Sequence, residues 1–299
     1  MVNLDTVFKP TLNPFLDTTT PFDEARHVVF GAPLDETASH RSGSRFAPDA
    51  LRRASLYMET YSLRTGLDLP DVSIADVGDL RGLNHPETSL DEISKAVGLI
   101  RGSGKMAAML GGEHTVTLGA LRALRPDLVV DFDAHMDLRD SLLGARLSHG
   151  TFLRRAMEEL DFKVVILGCR AVSREEMDFA EENEDRLAVV TAAELLKGGI
   201  EVGLEATESW RDEASSTYIS VDMDVVDPAQ APAVGNPSPE GIGVPTLIDL
   251  ISEFADERTH GFDLTEVTPH YDSGLTATQA AHVALETIYA LEAALRRPL

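Results

Sequence analysis

Short apolar, β-branched runs alternate with longer amphipathic stretches along this 299-residue chain. Seven runs read as strands: residues 27–30, 106–110, 128–132, 164–167, 187–190, 217–221 and 261–267, with 71–75 as a weaker eighth. Between them lie helix-like stretches. Residues 48–60 open with a proline suited to a first helical turn. Residues 89–101 open with a Ser-x-x-Glu capping box, Ser89 with Glu92, and 173–183 with another, Ser173 with Glu176. Residues 246–255 and 276–297 complete the set. Strand–helix alternation predicts an α/β fold, a parallel sheet flanked by helices. No repeat, low-complexity stretch or Gly/Ser-rich linker divides the chain, so one domain over residues 1–299 is the economical expectation. In such sheets ligands bind beyond the carboxyl ends of the strands. The polar residues that end the strands therefore matter most.

Composition narrows the setting. Apolar residues make up 43 %, enough for a sizeable core. Asp and Glu number 50 against 26 Lys and Arg, a formal net charge of −24. Such a field repels nucleic-acid phosphates and anionic lipid, so neither nucleic acid nor a membrane is an expected partner. Only five of the basic residues are lysines. The charge far exceeds the magnitude of ~2–8 that suffices for solubility in a small domain. An acidic, lysine-poor surface suits concentrated salt, where the Debye length falls to ~3 Å at 1 M. The expectation is a salt-adapted (halophilic) protein rather than an ordinary acidic one. A single cysteine, Cys169, precludes an intrachain disulfide and fits a reducing cytoplasm. The first 20 residues lack the basic-then-apolar pattern of an export signal, and no run of 18 apolar residues occurs. Secretion and membrane spanning are therefore not expected.

The strand-like run 128–132 passes into Asp133-Ala134-His135-Met136-Asp137. Side chains at i, i+2 and i+4 of an extended chain share a face, so Asp133, His135 and Asp137 can converge. The run 217–221 leads likewise into Asp222 and Asp224, and 106–110 into Gly111-Gly112-Glu113-His114, where the glycines permit a sharp turn. Carboxylates with imidazoles suit Mn²⁺ or a similar divalent ion. Charge counting suggests two ions: Asp133, Asp137, Asp222 and Asp224 carry four negative charges, which two divalent ions neutralise. Two metals also lower the pKa of a water held between them towards ~7.

Other polar residues have blander readings. Asp131 sits one pleat deeper than Asp133 and reads as a support for the ligands, or otherwise as a buried hydrogen-bonding residue. Asp227 reads as a loop residue before Pro228. His27, His40, His85, His260, His270 and His282 lack ligand spacing, although His40 and His270 could border a pocket. Residues 181–185 read as a solvated helix end, and Cys169 has no expected catalytic role.

Several stretches together resemble the ureohydrolase family, which includes arginase and agmatinase. They are GGEHTVTLGAL, DFDAHMDLRD, SHGTFLRRA, SVDMDVVDPAQAPAVGNPSPEGI and DLTEVTPHYD, preceded by GAPLDETASHRSGSRFAPDALRRAS. The likeness runs from about Val28 to Glu286 and is closest to archaeal-type agmatinases. It implies a three-layer α/β/α fold with a mostly parallel sheet of about eight strands. It implies two Mn²⁺ ions per chain held by His114, Asp133, His135, Asp137, Asp222 and Asp224. Asp133 and Asp222 would bridge the ions, His114 and Asp137 completing one site and His135 and Asp224 the other. His149 matches the family's proton-handling histidine, and Glu266 the carboxylate that grips the guanidinium. Glu113 stands where the commonest form of the motif has Asp, a departure that leaves the ligands intact. A homo-oligomer, trimer or hexamer, is also implied.

The implied reaction is hydrolysis of a guanidino group to urea and an amine. Hydroxide bridging the metals attacks the guanidinium carbon while Glu266 orients the NH groups. Asp137 or His149 then relays a proton to the leaving amine. Segment 138–147, followed by SHGT, resembles the agmatinase branch rather than the polar arginase loop. Agmatine, giving putrescine and urea, is the expected substrate. Aminopropylagmatine and guanidinobutyrate are the alternatives, and arginine ranks below them. Leu142, Leu143 and Leu147 stand where a polar loop would solvate arginine's carboxylate; Arg139 or Arg146 turned inward would reverse that effect. Two other classes stay open: a different metallohydrolase, such as an amide deacetylase, and a catalytically silent metal-binding relative.

Overall fold

Nine strands form one sheet in this computed structural model, which describes residues 4–296. They are β1 (Phe8–Lys9), β2 (His27–Ala32), β3 (Ile74–Leu80), β4 (Met106–Gly111), β5 (Leu128–Phe132), β6 (Lys163–Cys169), β7 (Leu187–Thr191), β8 (Thr217–Asp222) and β9 (Thr259–Thr265). Their order is β1-β3-β2-β4-β9-β8-β5-β6-β7. Eight run parallel, and β1 pairs antiparallel with β3 at one edge. The expected mostly parallel sheet is thus present, with one short edge strand added.

Both faces of the sheet are apolar because both are covered. Along β2, Val29 joins a core with helices Ala47–Ser55, Val244–Phe254 and Leu275–Arg296. Val28 and Phe30 point the other way, into a core with helices Pro86–Gly102, Val116–Leu124 and Phe152–Glu159. Alternate strand residues feed opposite layers, which gives the three-layer α/β/α sandwich. Each fully buried Val, Leu, Ile or Phe contributes ~1.5–3 kcal/mol to holding the layers together.

Every strand-like run is found, with ends shifted by a few residues; 71–75 proves to be the approach to β3. The helix expected over 48–60 ends at Ser55. The Ser173–Glu176 box caps helix Arg174–Glu182, with Glu176 Oε2 accepting the Ser173 N–H at 2.9 Å. The Ser89–Glu92 box does not exist. Pro86 starts that helix a turn earlier, and Ser89 lies buried inside it with no partner for its hydroxyl among the described residues. Helix Leu275–Arg296 matches the last expected helix, whose final residue, Arg297, lies outside the described residues. No described helix is long and apolar enough to cross a membrane.

Strands β4, β9, β8 and β5 are consecutive neighbours in the centre of the sheet. Leu110, Leu264, Val221 and Phe132 pair at one level across them. Their carboxyl ends therefore open side by side, and the residues that follow share one patch.

Candidate active site

Two groups of ligand-type atoms lie on this patch: His114, Asp133 and Asp222, and Asp133, His135 and Asp224. Asp133 belongs to both. His114 Nδ1 is 3.1 Å from Asp133 Oδ2 and 3.3 Å from both Asp137 Oδ2 and Asp222 Oδ2. His135 Nδ1 is 2.9 Å from Asp224 Oδ2 and 3.6 Å from Asp133 Oδ1. All six residues predicted as ligands are thus brought together.

The local backbone does this differently from the expected pleat. Strand β5 ends at Phe132, and Asp137 takes a left-handed φ of 53°. The His135 N–H donates to Asp133 Oδ1 at 2.6 Å, and the Ala134 N–H to Asp224 Oδ1 at 3.2 Å. After β8, residues Met223–Val225 form a 3₁₀ turn capped by Asp222, which accepts the Asp224 N–H at 2.8 Å. Tight turns, not alternation along a strand, aim Asp137 and Asp224. The glycines before His114 also act otherwise than expected, since neither has positive φ. A Cβ on Gly112 would lie 1.9 Å from the Leu34 carbonyl oxygen, so the residue is small to allow close packing.

The donor set fits divalent metal. Ser220 Oγ lies 2.9 Å from His114 Nε2 and donates to Asp263 Oδ1 at 2.7 Å. The His114 hydrogen therefore sits on Nε2, and the Nδ1 lone pair faces the carboxylates. Buried His114 Nδ1 and Asp133 Oδ2 have no hydrogen-bond partner among the described residues. A proton on Nδ1 would serve one carboxylate and leave the others repelling one another; divalent cations satisfy them all. The crowding is visible in the carboxyl groups. Burial and the charge of Asp133 push Asp137 up to about 7, and burial with Asp224 pushes Asp222 well above the usual range.

A cavity of about 180 Å³ opens onto the patch and is also lined by His149, Glu266, Ser39, Asn236, Arg139 and Leu142. Glu266 follows β9 with a left-handed φ of 64°, a conformation costing ~1–3 kcal/mol in a non-glycine residue. Its Oε1 accepts the His114 N–H at 2.8 Å, and burial pushes it up to about 8. Gly235 leaves room for its other oxygen, which a Cβ there would meet at 2.3 Å. His149 lies in the loop before helix Phe152–Glu159, with Thr37 Oγ1 3.2 Å from Nδ1 and Ser39 Oγ 3.1 Å from Nε2. Burial holds its pKa below the ordinary histidine value.

Of the three leucines expected at the substrate tail, only Leu142 lines the cavity; Leu143 is 83 % exposed and Leu147 packs against the core. Arg146 faces away, 3.6 Å from Asp140 and 3.5 Å from Glu158. Arg139 does line the cavity, 3.7 Å from Glu176 Oε2.

Most of the remaining polar residues keep their bland readings. Asp227 anchors its loop by accepting the Ala229 and Gly241 N–H groups, each at 2.9 Å. Asp131 is buried below the ligands, 3.6 Å from His114 Nε2. His40 and His270 do not border the cavity: His40 is exposed and His270 packs edge-on against Phe46. His27 pairs with Glu292 at 3.2 Å. Cys169 is buried, which pushes its thiol pKa up and disfavours the nucleophilic form. Thr37, Ser39, Asn236 and Glu176 were not singled out from the sequence as parts of this site. Thr37 and Ser39 lie in the stretch GAPLDETASHRSG, whose similarity marks the segment without marking either residue.

Comparison with known proteins agrees with this geometry. The sequence model of the arginase family matches residues 25–289. The agmatinase of Bacillus subtilis is 34 % identical over 283 residues, covering 92 % of this chain and 94 % of the relative. The N(1)-aminopropylagmatine ureohydrolase of Thermococcus kodakarensis is 32 % identical, covering 90 % and 92 %. The crystal structure of agmatine ureohydrolase from Thermoplasma volcanium superimposes with a TM-score of 0.86 at 36 % identity, covering 97 % of each chain. Proteins of the arginase family are binuclear metalloenzymes, as the paired ligand groups here would require. With the fold, the clustered ligands and the full-length similarity in agreement, the chain belongs to the arginase family of ureohydrolases, hydrolytic enzymes that act on guanidino groups.

Proposed function

We propose that residues 1–299 form one ureohydrolase domain that binds two Mn²⁺ ions and hydrolyses agmatine to putrescine and urea. One observation carries the reading: two ligand groups sharing Asp133 open into the same cavity as Glu266. His114, Asp133, Asp137 and Asp222 would hold one ion, and Asp133, His135, Asp222 and Asp224 the other. When bound, such a pair lowers the pKa of a water towards ~7. The chain's own residues do the rest. Glu266 pairs with the substrate NH groups and orients the central carbon. Asp137 accepts a hydrogen bond from the attacking water and aligns it. With His149, it moves a proton to the departing amine. Water adds across the C–N bond, so urea and putrescine account for every atom.

Agmatine's tail is an ammonium, which the acidic field of the protein favours. Arginine adds a carboxylate whose one cationic neighbour among the described residues of the cavity wall, Arg139, is already offset by Glu176, and burying an uncompensated carboxylate costs several kcal/mol. Arginine is therefore expected to fall at least ~100-fold below agmatine in kcat/KM, at ~1.4 kcal/mol per decade. Aminopropylagmatine, with a longer cationic tail, should be tolerated. Arg139 favours a second reading, because a guanidinium lining the cavity can pair with the terminal carboxylate of guanidinobutyrate. Glu176 lies 3.7 Å from Arg139 and offsets its charge, which keeps agmatine first. Urea release from the four guanidines at equal concentration with Mn²⁺ decides the order. Arginine or guanidinobutyrate ahead of agmatine would overturn the substrate assignment and leave the ureohydrolase class standing.

Salt adaptation is part of the same proposal, supported by the charge of −24 and the five lysines. Melting temperature and activity are expected to rise from dilute buffer to 2 M KCl as screening relieves self-repulsion. Equal or lower stability in KCl would count against it. Sulfate is unsuitable for the comparison because it stabilises most proteins.

A further inference from the structure

Glu113 directly precedes a proposed metal ligand, yet its side chain turns away from the metal patch. It is 1 % exposed and accepts four hydrogen bonds. Oε2 takes the backbone N–H groups of Glu36 at 2.6 Å and Thr37 at 2.7 Å. Oε1 takes the hydroxyls of Thr37 at 2.9 Å and Thr115 at 2.7 Å. The loop after β2 is thereby tied to the end of β4. The Thr37 hydroxyl, with its one hydrogen committed to Glu113, can offer His149 only lone pairs. It accepts the His149 backbone N–H at 3.0 Å and lies 3.2 Å from the ring Nδ1. That second contact is a hydrogen bond only if Nδ1 carries the hydrogen. In a neutral ring Nε2 then holds the lone pair, and Ser39 Oγ, 3.1 Å away on the cavity wall, can donate to it by turning its one hydrogen from the longer, 3.4 Å contact with Asn236 Oδ1.

We infer that Glu113 is a positioning residue that fixes His149 in the Nδ1–H tautomer through Thr37, leaving the basic Nε2 on the side of Ser39. Its role in turnover rests on the proposed proton-handling function of His149; the tautomer itself does not. Burial, which lowers the pKa of His149, favours the neutral ring this arrangement needs. The logic is that of a buried carboxylate orienting a catalytic imidazole, with a threonine hydroxyl interposed.

Glu113→Gln inverts the arrangement with almost no change in shape. The amide oxygen is needed by the two backbone N–H groups, so the NH₂ faces Thr37. The Thr37 hydroxyl must then turn its own hydrogen to Nδ1, and His149 moves its hydrogen to Nε2. Neutron diffraction from deuterium-exchanged crystals of the metal-loaded enzyme reads this directly. Deuterium is expected on Nδ1 alone in the natural protein and on Nε2 in Glu113→Gln. Deuterium on Nε2 or on both nitrogens in the natural protein, or an unchanged tautomer in the variant, overturns the inference. In turnover, Glu113→Gln and Thr37→Val should each lower kcat roughly 10- to 100-fold, at or below the low end of the ~10²–10⁴-fold contribution of positioned proton transfer. KM and a content of two metals per chain should hold, and Thr37→Ser should restore the rate. In a His149→Ala background the Glu113→Gln loss should shrink to within about 2-fold, as the two act in series. An undiminished loss there would mean Glu113 acts by another route and overturns its kinetic role. Full activity of His149→Ala alone, with the deuterium where expected, would overturn the proposed catalytic role of His149 and leave the control of its tautomer standing.

Discussion

Replacing Asp133 by Asn is expected to strip at least one metal ion from the enzyme and lower urea release by more than ~100-fold. Asp133, which with Asp222 is proposed to serve both ions, belongs to both ligand groups found among the described residues, and its carboxylate is buried between His114 and His135. Asn keeps the volume and an oxygen that can accept the His135 N–H. It removes a full negative charge and the second donor oxygen, so the two ions lose one of their two shared anchors. Loss of a supporting group one layer out already costs ~10–100-fold in metal affinity or activity, and loss of a shared ligand should cost more. Elemental analysis of the purified protein gives the stoichiometry, with close to two ions per chain expected before substitution. Two ions per chain and undiminished turnover in Asp133→Asn would sink the ligand assignment.

Glu266→Gln should leave both ions in place and reduce kcat/KM for agmatine by roughly 10²- to 10⁴-fold. The expectation comes from the environment of the carboxylate. It is 7 % exposed, held in a left-handed turn, and tied through Oε1 to the backbone of His114. Gln can keep that backbone hydrogen bond through its carbonyl oxygen, so the fold of the turn survives. The other end of the amide then presents N–H donors to a guanidinium that has only donors of its own. Leaving one member of a buried charged pair without its partner costs about 3–5 kcal/mol, which corresponds to the stated range. Steady-state kinetics alongside metal analysis separates this from damage to the centre. A variant with two ions and near-normal kcat/KM would remove Glu266 from the substrate site.

Much of this site was legible in the chain because its parts are local. Asp133, His135 and Asp137 lie within five residues, and Asp222 and Asp224 within three, each set directly after a buried β-branched run. Such runs announce themselves by composition, and a polar residue at the end of a parallel strand has few places to point except over the sheet edge. What failed was local as well. Ser89 followed by Glu92 satisfies the capping pattern, yet Pro86 fits a first turn better, and the helix begins there. Helix Val116–Leu124 escaped notice because its first six residues are all buried, which erases the polar stripe that marks an amphipathic helix. Strand β1 has two residues, too few for any period to show.

The sequence by itself determined the fold class, the alternation of strands and helices, the six candidate metal-ligand residues and, through resemblance, the family. These follow from short-range pattern, from buried β-branched segments and from charge that needs neutralising. Tertiary structure alone decided how the pieces meet. The order β4-β9-β8-β5 sets strands far apart in the chain side by side, so that His114, Glu266, Asp222 and Asp133 share one patch. It also decided that Arg139 lines the cavity while Arg146 turns to Asp140 and Glu158, although both lie in the same short segment. It brought Thr37 within hydrogen-bonding distance of His149 across 112 positions, a contact with no trace in local spacing. Periodicity records which face of an element is buried; it carries no information about which distant element covers that face. The register of the sheet and the packing of loops at its edge supply the answer, because only there do buried polar atoms find partners.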